Sequence, residues 1–248
     1  MVHVIGRGKT ATVFRDMDRA IKRYVNQPFV EVQNEAMRQQ YAYNQGLPVP
    51  AVLDVRKLDE NRSELVMEYV DGRPLIGSKS DKDERRQAIC ELVKLQCCVH
   101  RVQATGLPKQ QDVLFEKIQR VNDLDKPDKD KVFERLLKSD NNENNLCHGD
   151  FHPQNILCDG KKHWIIDWVD ATAGNPVADA CRTYLIFKQY MSRSSGLYLS
   201  MFCKTANVKK EDVLMWLPVI AAARLNENME DKMRAALMTL IQNILMER

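Results

Sequence analysis

The chain has 248 residues, 44% of them hydrophobic and 29% charged, with a net charge of +3. That length buries a full core in one large domain or two lobes, and the net charge is too small to imply a nucleic-acid footprint. No apolar run is long enough to span a bilayer, and seven cysteines without a C-x-x-C pair form neither a disulfide framework nor a zinc pattern, so a cytoplasmic protein with no membrane partner is expected.

In chain order, residues 2–5, 11–15 and 19–24 read as strands. Gly6-Arg7-Gly8 and Asp16-Met17-Asp18 supply the turns between them. Residues 1–25 carry an excess of four positive charges, which suits a polyphosphate ligand as readily as a solvated surface. Residues 28–45 read as a helix with Phe29, Val32, Ala36, Tyr41 and Tyr43 apolar or aromatic, ended by Gly46-Leu47-Pro48. Two further strands are expected at 52–58 and 64–69, across a polar loop. After Asp71-Gly72-Arg73-Pro74 the pattern becomes helical, with helices expected at 80–103, 112–124, 129–138, 177–204 and 210–247. Residues 139–145 read as a loop, and Pro218 is expected to break or kink the last helix. The fold class is therefore α+β. A small five-stranded antiparallel unit with one helix spans residues 1–69, and a larger, mainly helical unit spans 70–248.

The densest chemistry lies in Cys147-His148-Gly149-Asp150-Phe151-His152-Pro153-Gln154-Asn155-Ile156-Leu157, followed by Ile166-Asp167-Trp168. An Asp, an Asn five residues on and an Asp twelve further follow the spacing of a kinase-type phosphotransfer site. Asp150 would orient a hydroxyl nucleophile, while Asn155 and Asp167 would hold Mg²⁺ on nucleotide phosphates. Mg²⁺ suits so thin a set of oxygen donors because it keeps waters and takes its other ligands from phosphate.

Upstream, Gly6-Arg7-Gly8-Lys9-Thr10-Ala11-Thr12-Val13 lies between two strands, where Gly6 and Gly8 would let backbone N–H groups approach phosphates. Alone, this run fits a plain hairpin turn equally well. A Walker A reading of Gly8-Lys9-Thr10 fails, because its first glycine would have to stand at His3 and no helix follows. Lys22, on the next strand, stands where a kinase places its phosphate-contacting lysine, and Glu35 on the following helix is its expected partner. Residues 65–70 have the position of a linker that binds adenine through the Glu68 carbonyl and the Val70 N–H. A buried edge strand explains the same residues. His148 and His152 are read as structural. Asp179 either caps its helix or accepts N–H groups from the loop around Asp150. Asp170 either faces substrate or caps a turn.

These segments resemble the aminoglycoside phosphotransferase and choline kinase family, a branch of the protein-kinase-like fold. His148–Asn155 (HGDFHPQN), Ile165–Ala173 (IIDWVDATA) and Gly174–Arg182 (GNPVADACR) carry the resemblance. It implies a bilobal fold and transfer of the γ-phosphoryl of ATP or GTP, with Mg²⁺, to a hydroxyl of a small molecule. The acceptor would be an aminoglycoside or other antibiotic, or a metabolite such as a choline-, sugar- or nucleoside-like alcohol. Residues 186–248 show no family motif, although this region builds the acceptor pocket in such enzymes, and residues 207–248 lack the acidic bias that a polycationic acceptor would favour. A protein kinase is the weaker alternative, because only residues 168–173 separate Asp167 from Gly174-Asn175-Pro176. A non-catalytic nucleotide-binding protein fits poorly with an intact Lys22, Asp150, Asn155 and Asp167.

Overall fold

Alternation of small and apolar side chains on one face of a strand leaves a surface that a helix must cover, and the first sheet is built on that requirement. The computed structural model describes residues 2–8, 10–77, 80–139 and 143–246; Lys9 of the glycine-containing run, part of the loop at 139–145 and residue 247 lie outside them. Strands β1 (His3–Arg7), β2 (Ala11–Asp16), β3 (Arg19–Val25), β4 (Val52–Lys57) and β5 (Arg62–Glu68) form an antiparallel sheet in the order β1-β2-β3-β5-β4. Helix α1 (Phe29–Asn44) packs on it through Val32 and Ala36, against Ala11, Ala20, Tyr24, Leu65 and Met67. The five strands and the helix stand where the sequence places them, within two residues at each end.

By contact density the chain forms two units, Met1–Ala88 with Pro153–Asp170 and Ile89–His152 with Ala171–Arg248. The first therefore does not stop at residue 69. Strand β6 (Arg73–Pro74) pairs with β8 (Ile156–Cys158), and β8 pairs with β9 (His163–Ile165). These backbone bonds draw Pro153–Asp170 into the same unit as the large sheet. Ile165 N–H donates to the Pro48 carbonyl at 2.7 Å, reinforcing that assignment.

The second unit is helical around one short ribbon, β7 (Asn145–Cys147) paired with β10 (Thr172–Gly174). Helices α2 (Lys82–Val99), which begins in the first unit, α3 (Gln110–Gln119) and α4 (Lys126–Ser139) precede the ribbon; α5 (Pro176–Tyr190) follows it. The expected helix at 177–204 is two helices, because the backbone leaves helical geometry at Met191 (φ −140°, ψ 50°) before α6 (Ser192–Ala206). The break lets Tyr198 fold back to stack on Phe187 with ring centroids 5.1 Å apart, both rings buried. The expected helix at 210–247 is three: α7 (Lys210–Leu214), α8 (Leu217–Arg224) and α9 (Asp231–Met246). Pro218 does not kink a helix but stands in the first turn of α8, where its missing N–H is harmless. Every residue of α8 is buried, so this short helix is the centre of the unit's core.

Gly174 shows how tightly the ribbon is packed. A Cβ there would lie 2.3 Å from the Gln110 Cβ, while Gln110 Oε1 accepts from the Asn175 N–H at 2.9 Å. Both chains are held by backbone bonds, including Ala173 N–H to the Pro108 carbonyl at 2.9 Å, so neither can give way easily. Gly174→Ala is expected to cost about 1–3 kcal/mol, the usual penalty of overpacking, read as a fall in the urea unfolding midpoint. An unchanged midpoint would mean that the ribbon yields freely.

Candidate active site

Successive β3 side chains alternate between faces, so Lys22 and Tyr24 point the same way, toward α1. Glu35 meets them there. Lys22 Nζ donates to Glu35 Oε1 at 2.7 Å, and the Tyr24 hydroxyl donates to Glu35 Oε2. Lys22 Nζ also donates to Asp167 Oδ1 at 2.8 Å, from a residue 145 positions away. Burial alone would lower the lysine pKa, but the charges of Glu35 and then Asp167 hold it well above its ordinary value. This cation is fixed in its charged state. Glu35 is buried and Asp167 is the more open of the two carboxylates, with 41% of its side chain exposed.

Asp167 follows β9 and takes a left-handed backbone conformation, φ 67°, which an Asp tolerates better than most side chains. Two bonds fix the turn: Ile166 N–H to the Asn155 carbonyl at 3.0 Å, and Trp168 Nε1–H to the Ile165 carbonyl at 3.2 Å, with the indole fully buried. Arg38 of α1 also donates to the Val169 carbonyl. Asn155 ends a 3₁₀ turn, Pro153–Asn155, and is buried. Lys22, Glu35, Asn155 and Asp167 thus all belong to one unit.

Gly6 lies on β1 opposite Val13, and the Gly8 N–H closes the turn onto the Ala11 carbonyl at 2.8 Å. A Cβ on Gly6 would meet Val13 Cβ at 3.8 Å, and one on Gly8 the Ala11 oxygen at 3.5 Å. Those are ordinary contacts, so the protein's own packing does not require either glycine. Glu68 ends β5 and donates its N–H to the Ala51 carbonyl at 2.9 Å; Val70 follows in the connecting segment, half-buried.

A second cluster, within the other unit, surrounds Asp150. The chain leaves β7 at Cys147 and turns through Gly149, whose φ of 81° demands glycine. The turn aims the Gly149 N–H at Asp179 Oδ1, 2.8 Å away, and Asp179 Oδ2 accepts from His100 Nε2–H at 2.9 Å. Asp179 thus accepts from the loop; the cap of α5 is Asn175, whose side chain accepts from the Val177 N–H at 2.7 Å. His148 is fully buried and its Nδ1 accepts the Asp150 N–H at 3.2 Å, a structural role.

His152 does more than shape a turn: its Nε2–H donates to Asp150 Oδ2 at 3.2 Å. Arg182 Nη2 donates to Asp150 Oδ1, also at 3.2 Å, and Arg182 Nη1 to Glu227 Oε1 at 2.6 Å. Glu227 Oε2 lies 3.5 Å from Arg224 Nη2. Burial would raise the Asp150 pKa, but the His152 hydrogen bond and the Arg182 charge hold it well below the usual carboxylate range. Nothing in the spacing singles out Glu227 or Arg224. A signal for Arg182 exists: it stands three residues after Asp179 on α5, so both share a helix flank.

The sequence profile of the phosphotransferase enzyme family matches residues 2–210. The chain belongs to this family. No curated protein sequence matches it. Among solved structures, this phosphotransferase is similar to a thermostable mutant of aminoglycoside phosphotransferase APH(4)-Ia in ternary complex with ADP and hygromycin B. The TM-score is 0.73 at 14% identity, over 99% of this chain and 93% of that one. It is also similar to aminoglycoside-3'-phosphotransferase of type VIII, with TM-score 0.66 and 19% identity over 90% and 93% of the two chains. APH(3'')-Id from Streptomyces rimosus, in complex with ADP and streptomycin, gives TM-score 0.65 and 17% identity over 88% and 91%. At such identities the solved structures speak for the kinase-like fold, and the profile speaks for phosphoryl transfer. Among the described residues no helix is long and apolar enough to cross a membrane.

Proposed function

We propose that this phosphotransferase moves the γ-phosphoryl group of ATP to a hydroxyl of a small molecule, with Asp150 as the residue that orients the hydroxyl. The observation that carries the reading is the Lys22 ion triad. A strand lysine held by a helix glutamate and by the strand-end Asp167 is a donor-side arrangement suited to polyphosphate, fixed in its charged state. The ADP complexes of the similar enzymes support ATP as donor.

In this reading Lys22 binds the α- and β-phosphates and Glu35 keeps it in place. Gly6 and Gly8 leave the β1–β2 turn open to phosphate, which explains glycines that packing alone does not require. The Glu68 carbonyl and Val70 N–H receive the base. Asn155 and Asp167 offer one amide and one carboxylate oxygen, a set that fits Mg²⁺ and leaves most of its ligands to phosphate and water. When bound there, the metal would neutralise charge on the nucleotide phosphates. The acceptor oxygen attacks the γ-phosphorus, its bond to the ADP oxygen breaks, and the hydroxyl proton passes to the Asp150 carboxylate. So acidic a carboxylate is a weak base, which suits a loose transition state in which the proton leaves late.

A small acceptor is favoured over a protein. The residues after Asp167 enter β10 at Thr172, so the segment that would carry an activation loop is instead a short link into a ribbon.

Asp167→Ala tests the donor side. It is expected to weaken binding of Mg²⁺-nucleotide by about 10-fold or more, measured by titration calorimetry with and without Mg²⁺, as loss of a ligand and its charge implies. An unchanged affinity would argue against metal ligation there.

A further inference from the structure

The acceptor side carries positive charge where a polycationic acceptor would need negative charge. Arg182 bonds to Asp150 itself, and Arg182 and Arg224 share the single carboxylate of Glu227. The two arginines are not equally provided for. Arg182 sits 2.6 Å from its Glu227 oxygen, within charge-assisted bonding distance, whereas Arg224 lies 3.5 Å from its own, beyond it. Arg224 is only 4% exposed, and its Nε–H has no hydrogen-bond partner. Burial, and then the neighbouring Arg182 charge, push its guanidinium below its usual pKa.

A buried guanidinium with five N–H donors and one distant carboxylate is costly, and the ordinary remedy is an anion with paired oxygens. Its location narrows what that anion is. Arg182, Arg224, Glu227 and Asp150 all belong to the unit that holds none of Lys22, Asn155 and Asp167. Arg224 and Glu227 also lie beyond residues 2–210, the span matched by the family profile.

We infer that the acceptor carries, besides its reacting hydroxyl, an anionic group of the carboxylate or phosphate class, received by Arg224 with Arg182. This rests on the phosphotransferase reading and narrows its acceptor. A carboxylate or phosphate offers two coplanar oxygens to a guanidinium fork, while an ammonium beside either arginine is repelled. Arg182 thereby has two tasks: one N–H group positions Asp150, and its charge joins Arg224 in selecting the acceptor. The group transferred and the bonds exchanged are those already described.

The test uses the purified full chain with ATP and Mg²⁺ and acceptors in which one hydroxyl-bearing position of a common polyol frame is replaced by an anionic or a cationic group. One series is glucose, glucuronate, glucose 6-phosphate and glucosamine; a second is glycerol, glycerate and glycerol phosphate; kanamycin is the polycation. An anionic member is expected to exceed its neutral parent by about 10-fold or more in kcat/KM, with cationic members slowest. Whether glucuronate or glucose 6-phosphate leads distinguishes the carboxylate from the phosphate class. Arg224→Gln should erase the preference by raising KM about 10-fold with kcat little changed, and Arg224→Lys should restore part of it. Preference for neutral or cationic acceptors, or an unchanged KM in Arg224→Gln, would overturn the inference.

A second readout needs no turnover. Glucuronate, glycerate or their phosphorylated counterparts should raise the Tm of the wild type over chloride at equal ionic strength, and should not do so in Arg224→Gln. No anion-selective shift in any series would also overturn it. Failure of the broader reading looks different: the wild type would then fail to bind Mg²⁺-nucleotide, whatever acceptor is present.

Discussion

Asp150→Asn is expected to lower turnover by about 10²–10⁴-fold while nucleotide affinity stays within about threefold, the usual signature of losing a group that handles the reacting proton. The substitution is nearly isosteric, and the surroundings can adapt. An Asn oxygen still accepts from Arg182, which in any case keeps its 2.6 Å bond to Glu227. His152 can switch tautomer and accept from the new amide N–H₂ where it now donates. The loss is therefore one of chemistry rather than of fold. Nucleotide binding should survive because Lys22, Asn155 and Asp167 belong to the other unit and do not depend on this carboxylate. Acceptor-dependent ADP release and a nucleotide titration on the same sample provide the check. Near-normal turnover would remove Asp150 from its role. A pH consequence follows from the same contacts. With its pKa depressed, Asp150 stays ionised as pH falls through the ordinary carboxylate range. A loss of kcat above about pH 5 should therefore trace to another group.

Spacing made one part of this site legible and hid another. The order glycine pair, Lys22, Glu35, then Asp150, Asn155 and Asp167 is linear information, and the structure brings Lys22, Glu35 and Asp167 together within 2.8 Å contacts. The five strands were legible because alternation and turn residues are local signals. Helix ends in residues 177–248 were not. There the apolar pattern continues through Met191 and Leu225, and only tertiary contacts, such as Tyr198 stacking on Phe187, decide where the backbone turns. The same reason hides Arg224 and Glu227. Arg224 and Glu227 are three residues apart, but nothing local marks Glu227 as the partner of Arg182, 45 residues earlier; that contact arises from packing. Histidine 152 is an intermediate case, since two residues from Asp150 it was near in sequence, yet its direction depends on the turn into Pro153.

Asp179→Ala is expected to cost about 2–6 kcal/mol of stability, about 1–3 kcal/mol for each of the two buried donors it leaves unsatisfied. Asp179 is buried, and its two oxygens receive the Gly149 N–H at 2.8 Å and His100 Nε2–H at 2.9 Å. Truncation leaves both donors without acceptors in a place where water is excluded. Asp179→Asn keeps one acceptor oxygen and should cost about 1–3 kcal/mol, as for a single unsatisfied donor. Urea midpoints of the three proteins provide the measurement; equal midpoints would show that the interactions hold nothing together. Burial would raise the Asp179 pKa, but the His100 hydrogen bond, the charges of His100 and His148 and the Gly149 N–H bring it below its ordinary value. A depressed folded-state pKa contributes stability above the unfolded carboxylate pKa and loses it as pH falls through the folded value. The gap between wild type and Asp179→Ala should accordingly be level above about pH 5 and shrink below about pH 4. Because the Gly149 N–H is one residue from Asp150, Asp179→Asn should also lower kcat more than it raises the KM for nucleotide. A protein comparably destabilised outside the β7–β10 ribbon, such as Val132→Ala in the buried face of α4, should not, and that contrast separates positioning of the Asp150 loop from general loss of stability.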